Sequence, residues 1–123
     1  MANPNINSPA DCYANNTQIS LTATTDTQLI SNPASSGKVF LVDSVILTNV
    51  SGAAVSVFVT FWNSANGTGV SAKLAHNISL AAGATVVVTK KEHNVNVKEN
   101  QSIYCRASVI NSITCAAFWK EFT

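Results

Sequence analysis

The side chains that could do chemistry are few in this sequence, and they are spread out. His76 falls inside a strand-like alternation, on a face shared with Leu74, Ile78 and Leu80, and His93 follows Lys90-Lys91-Glu92 in a polar turn. Neither has a second His or a Cys at metal-ligand spacing, and Glu92-His93 is not part of an H-E-x-x-H helix, so structural or surface roles are expected for both. The carboxylates Asp11, Asp26, Asp43, Glu92, Glu99 and Glu121 are scattered, with no two at short spacing on one strand face. That pattern lacks the paired acid and base of a glycoside hydrolase. No serine occupies a G-x-S-x-G elbow. Gly67-Thr68-Gly69 has no lysine after it and opens no helix, so it reads as a turn and not a phosphate loop. The expectation is a non-enzymatic protein with no metal and no cofactor.

The cysteines are Cys12, Cys105 and Cys115. The first residues have neither a basic start nor an apolar h-region, so no Sec signal peptide is expected, and an odd cysteine count then suits a reducing compartment or an assembly that leaves thiols free. Cys105 and Cys115 lie almost symmetrically about a turn at Asn111, which would place them opposite each other across a hairpin. Directly paired strands hold sulfurs in poor geometry for a bond. Both cysteines fall on inward faces, so two core thiols are the favoured reading and a disulfide the alternative. The Asn-x-Ser/Thr sequons at Asn15, Asn49, Asn66, Asn77 and Asn100 are expected by chance in so Asn/Ser/Thr-rich a chain.

The elements that must carry these residues are strands. The longest apolar stretch runs from Gly37 to Asn63 and reads as a central hairpin, with strands at Lys38–Val50 and Ala54–Trp62 joined by Ser51-Gly52-Ala53. In the second strand Val55, Val57, Val59 and Phe61 alternate with Ser56, Phe58, Thr60 and Trp62, so one face is built for burial. Further strands are expected at Thr27–Ser31, Val70–Leu80, Thr85–Lys90, around Val95 and Val97, at Ser102–Val109 and at Ile113–Phe122. The last two form another hairpin. About seven or eight strands with frequent turn signals, such as Asn66-Gly67, predict an all-β antiparallel sandwich, jelly-roll-like.

Bulk properties agree. The chain has 123 residues, 46% hydrophobic and only 11% charged, with a formal net charge of +1. It is expected to be a single sandwich domain over 27–123, preceded by an extended Asn/Pro/Thr-rich arm over 1–26. The weak charge gives no electrostatic footprint for nucleic acid. No run of 18 or more apolar residues suggests a membrane span. The low charge also weakens like-charge repulsion, which favours homo-oligomerisation. Aromatic residues on the second strand faces, Phe58, Trp62, Tyr104 and Phe118 or Trp119, are more than a free-standing sandwich needs there and point to a contact surface. In the arm, Ile6, Tyr13, Ile19 and Leu21 are the apolar residues able to anchor it to a neighbour or to its own domain.

The order of turn motifs resembles that of small β-sandwich structural proteins of tailed bacteriophage particles. The residues concerned are Asn32-Pro33-Ala34-Ser35-Ser36-Gly37-Lys38, then Val45 to Val57, then Leu80-Ala81-Ala82-Gly83-Ala84-Thr85-Val86-Val87, and finally Lys98 to Ser108, where Glu99-Asn100-Gln101 replaces the usual Gly-Asp turn. The resemblance covers Thr27 to Glu121 and leaves the arm without a counterpart. It implies a virion structural protein, assembled in the host bacterial cytoplasm, with capsid or tail proteins as partners. A capsid cement or decoration subunit is the expected role, and a tail or head-to-tail component the alternative. A reading from a different class is a carbohydrate-binding jelly roll that would stack sugars on Trp62, Tyr104 or Trp119.

Overall fold

The computed structural model describes residues 11–123. It contains strands β1 (Cys12–Ser20), β2 (Thr27–Asn32), β3 (Val39–Asn49), β4 (Val55–Trp62), β5 (Ser71–Leu80), β6 (Thr85–Val97), β7 (Gln101–Ala107) and β8 (Ile113–Phe122). They form two four-stranded sheets, one in the order β1-β8-β3-β6 and the other β2-β7-β4-β5. Every pairing is antiparallel. This winding, in which the chain passes repeatedly from one sheet to the other, is that of a jelly-roll sandwich.

The expected central hairpin does not form. β3 and β4 lie in opposite sheets, and so do β7 and β8; only β4 and β5 pair as consecutive strands. Residues 50–54 are therefore a crossing between sheets. The side chain of Asn49, fully buried at the end of β3, fastens it: Nδ2 donates to the carbonyls of Ala53 (2.8 Å), Leu80 (3.0 Å) and Ala81 (3.2 Å). Asn32 does the same at the end of β2, donating to the carbonyls of Lys38 at 2.9 Å and Val97 at 3.0 Å. Buried loop carbonyls need such donors, because an unpaired polar group away from water is costly.

The core fills the space between the sheets. β3 contributes Phe40, Val42, Val45 and Leu47, and β8 contributes Ile113, Cys115, Ala117 and Trp119. From the facing sheet come Leu29 and Ile30, Val55, Val57 and Val59, and Ile103, Cys105 and Ala107. The alternation read from β4 is kept for its valines. It breaks near the strand's end, where Thr60 is buried and Phe61 only partly so, because the register with β5 shifts between Val57 and Thr60.

Three further elements differ from expectation. Thr85–Lys90 and Val95–Val97 belong to one strand, β6, interrupted by a bulge: Val42 pairs with Val95 but Ser44 with Lys90, so residues 91–94 are looped out. Asn94 sits there at a φ of 52°. In β5, Asn77 at a φ of 51° accompanies the register shift and turns His76 outward, so Ala75 and Leu80 are buried where His76 was expected on the apolar face. Finally, part of the segment read as an arm is built into the sandwich. β1 pairs along its whole length with β8, from Cys12 opposite Phe122 to Ser20 opposite Thr114. Leu21 is fully buried in the core and clamped by backbone hydrogen bonds with Ile113 and Asn111. β8 is central in its sheet and offers a row of backbone partners that outweighs the segment's poor apolar content.

Candidate assembly surface

Among the described residues, two outer sheet faces and the edge strands β1, β6, β2 and β5 are available, and they differ in character. On the β2-β7-β4-β5 face the polar and aromatic groups already engage one another. The guanidinium of Arg106 on β7 lies 4.1 Å from the ring centre of Phe58 on β4. On the other side of Phe58, the ring of His76 from β5 stands edge-on at 5.5 Å. Asp26, just before β2, completes the row across the sheet with a 3.9 Å ion pair to Arg106.

The other half of this face is covered by the chain itself. The 63–70 loop folds over it, accepting hydrogen bonds at the carbonyls of Ser64 from Ser102 (2.6 Å) and Ala65 from Ser31 (2.8 Å). The Ala65 amide donates to Asn100 Oδ1 at 3.1 Å. Gly67, at a φ of 70°, lies so close to Tyr104 that a Cβ there would stand 2.9 Å from the ring. Tyr104 is thus half-buried under its own loop, with its hydroxyl donating to Gln28 Oε1 at 3.3 Å. Trp62 is half-buried nearby.

The β1-β8-β3-β6 face is different. Its register sets Val87, Ile46, Ala116 and Gln18 side by side, and next to them the row Thr85, Thr48, Thr114 and Ser20. These two rows carry no formal charge. Thr48 and Thr85 hydrogen-bond across the strands at 3.0 Å. Gln18, Ile46, Thr48, Thr114 and Ala116 line a shallow open depression of about 380 Å³. The next row, Lys90, Ser44, Phe118 and Asn16, brings Phe118 to the surface with 37% of its area exposed. Charge returns in this row with Lys90 and continues beyond it, where Lys120 meets Asp43 at 3.5 Å. Among the described residues, the far edge of β1 pairs with no strand. Tyr13, 57% exposed, stands on β1 near one end.

The expected contact residues therefore separate. Phe118 and Tyr13 are exposed, and Ile19 is partly buried. Phe58, Tyr104 and Trp62 lie on the opposite outer face, engaged or covered as above. Leu21 and Trp119 belong to the core: Trp119 is only 6% exposed and stacks on Phe40 with ring centres 5.9 Å apart. Ile6 lies outside the described residues. The sequence reading missed the strip Val87–Ile46–Ala116. Its signal was present as small or apolar residues alternating with core residues on β3, β6 and β8, but recognising a common surface required knowing that these strands are neighbours.

The cysteines are all free thiols, with Cys12 exposed and the other two buried. Among the described residues, no group of three or more His, Cys, Asp or Glu side chains is placed to hold a metal ion. One carboxylate is unusual. Glu121 is buried at the rim of the core, accepting from Asn15 Nδ2 (2.7 Å), Trp119 Nε1 (3.2 Å) and Lys38 Nζ (3.2 Å). Burial alone would raise its pKa, but these donors and the Lys38 charge together hold it below the ordinary glutamate value.

No family model matches this sequence, and no curated protein does. Solved structures do match. A chain of the T13 viral particle of infectious bursal disease virus superposes with a TM-score of 0.54 at 11% identity, over 93% of this chain and 31% of that one. The chain thus spans about a third of the length of that protein. A chain from the capsid of Ralstonia phage GP4 superposes with a TM-score of 0.51 at 12% identity, over 98% of this chain and 90% of that one. At such identities the likeness is one of fold.

Proposed function

We propose that this protein is a structural subunit of a virus particle, acting as a capsid cement or decoration protein through non-covalent contacts. The observation that carries the reading is the uncharged apolar strip Val87–Ile46–Ala116 with exposed Phe118 beside it, lying next to the free edge of β1. An uncharged face can be desolvated on contact without stranding ions. A free edge can add a neighbour's strand by backbone hydrogen bonds. A standard interface takes about 800 Å² from each partner, an area that one sheet face with its edge can supply. A subunit that binds only the assembled shell stabilises it by mass action.

The fold likeness to a chain of the phage GP4 capsid, which spans 90% of that chain, supports the same reading. The partners would be capsid proteins and further copies of this chain, and the location the virion. Fold by itself does not fix function, and jelly rolls also serve as lectin domains. Sugar stacking finds little support here, because Phe58 is flanked by Arg106 and His76 and Tyr104 is covered by Gly67.

The test is sedimentation of purified protein with particles lacking it, separated into heads and tails. Saturable binding to heads at a fixed copy number is the expected result. Binding confined to tails or head-to-tail connectors would assign it there instead, and binding to neither would overturn the virion reading.

A further inference from the structure

We propose that Cys105 and Cys115 form a latent cross-sheet staple: two core thiols that an oxidant converts into a disulfide joining the two sheets of the folded sandwich. The geometry differs from that of a hairpin pair. Cys105 lies on β7 and Cys115 on β8, which belong to opposite sheets, so their side chains point at each other across the core. The sulfurs are 3.3 Å apart, and both residues are buried. A disulfide needs about 2.05 Å between sulfurs, so the remaining approach is roughly 1.2 Å. The neighbours on the same inward faces, Ala107 and Ala117, are also buried and small. Their larger buried neighbours, Val59 opposite Cys105 and Leu47 opposite Cys115, lie beside them within the same sheets.

In the closed sandwich both sulfurs are shielded from a solvent-borne oxidant. The contact with Cys115 and then burial push the Cys105 thiol far up, so almost no thiolate forms. Oxidation therefore proceeds through local opening, and β1 is the element that would open, since it covers β8 from an edge of its sheet. With a small-molecule disulfide as oxidant, one cysteine thiolate attacks it, releasing one small thiol and leaving a mixed disulfide. The second cysteine thiolate then displaces the other small thiol. Two S–H bonds are lost, one S–S bond forms between strands of opposite sheets, two electrons pass to the oxidant, and the two protons end on the released thiols. Cys12, opposite Phe122 at the far end of the β1–β8 ladder, is too distant to intercept the intermediate. A chain folded in a reducing compartment would gain this staple on reaching an oxidising one.

The experiment uses the full chain carrying Cys12→Ser, folded under reductant and then incubated with oxidised glutathione. Intact mass should fall by about 2 Da, with a peptide linking Cys105 to Cys115. The melting temperature should rise by roughly 5–10 °C over the reduced protein. The rise should vanish in Cys105→Ala, and oxidation should speed up in sub-denaturing urea. A stable glutathione adduct at either cysteine, failure to oxidise over days in such urea, or an oxidised form that melts below the reduced one would each overturn the proposal. Comparing reduced and oxidised samples of the same protein keeps the test decisive even if the alanine variant folds poorly.

Discussion

Trp119 and Glu121, two residues apart on β8, are joined by a 3.2 Å hydrogen bond from the indole N–H to the carboxylate. The same oxygen accepts from Asn15 on β1, and the other oxygen takes Lys38, just before β3. One buried carboxylate thus holds the edge strand, the strand beside it and the β2–β3 turn together at one corner of the sandwich.

Glu121 should make this corner acid-sensitive. Its pKa in the folded chain lies below the ordinary 4.5, so the unfolded chain takes up the proton first as pH falls. The stability it contributes is complete above about 4.5 and declines as pH drops below that value towards the folded pKa. Glu121→Gln should lower stability at pH 7 by about 1–2 kcal/mol, since the amide keeps one acceptor oxygen and loses the charge. Urea melts of both proteins at pH 7 and pH 3 check this. A gap that does not narrow at the lower pH would show that the carboxylate charge contributes nothing.

Val57 tests the assignment of faces. It is fully buried on β4, between β5 and β7. Val57→Asp should prevent folding, because an unpaired carboxylate there costs several kcal/mol, comparable to the stability of a small domain. Far-ultraviolet circular dichroism and solubility report the outcome. A soluble variant with the parental melting curve would mean that the two faces of β4 are reversed.

The 63–70 loop gives a third prediction. Gly67→Ala combines a left-handed φ with a methyl group directed into the Tyr104 ring, and should cost roughly 1–3 kcal/mol. In a Tyr104→Ala background the steric part disappears, so the cost should drop towards the backbone part alone, about 1 kcal/mol. Equal costs in both backgrounds would show that loop and ring do not press on each other.

How far the fold was legible follows from which signals are local. The end strand was readable as Ile113–Phe122, its observed span, because alternation is a property of neighbouring residues. Sheet membership is not local. Ser51-Gly52-Ala53 suits a hairpin turn as well as a crossing between sheets, and what decides is the burial of Asn49 against carbonyls of both loops, which involves residues far apart in the chain. Bulges hide for a related reason. Asn77 and Asn94 tolerate a positive φ without being glycine, so His76 looked apolar-facing and the polar stretch Lys91 to Asn94 looked like a break between strands. Of the proposed contact surface, the sequence offered Phe118 or Trp119 as the outward aromatic, and the choice between them depends on which face of β8 meets the core. The strip beside Phe118 depends on three strands becoming neighbours.

The last prediction concerns that strip. Val87 is 42% exposed and Phe118 37%, on rows one step apart across the outer face. Exposed positions away from caps and buried networks usually tolerate substitution within about 0.5 kcal/mol, so Val87→Lys and Phe118→Lys should each melt close to the parent. If this face docks on a shell, each lysine would carry a charge into a contact that excludes water, and truncating the ring would remove apolar contact area as well. Attachment should then weaken by more than tenfold for either variant, which corresponds to about 1.4 kcal/mol, and further in the pair. The control is on the opposite outer face, where Lys73→Ala removes a 3.1 Å hydrogen bond to Thr60 and should leave attachment unchanged. Sedimentation with depleted particles reads all of these. Parental binding by both lysine variants, with loss only in changes on the Phe58 face, would move the docking surface to the other sheet.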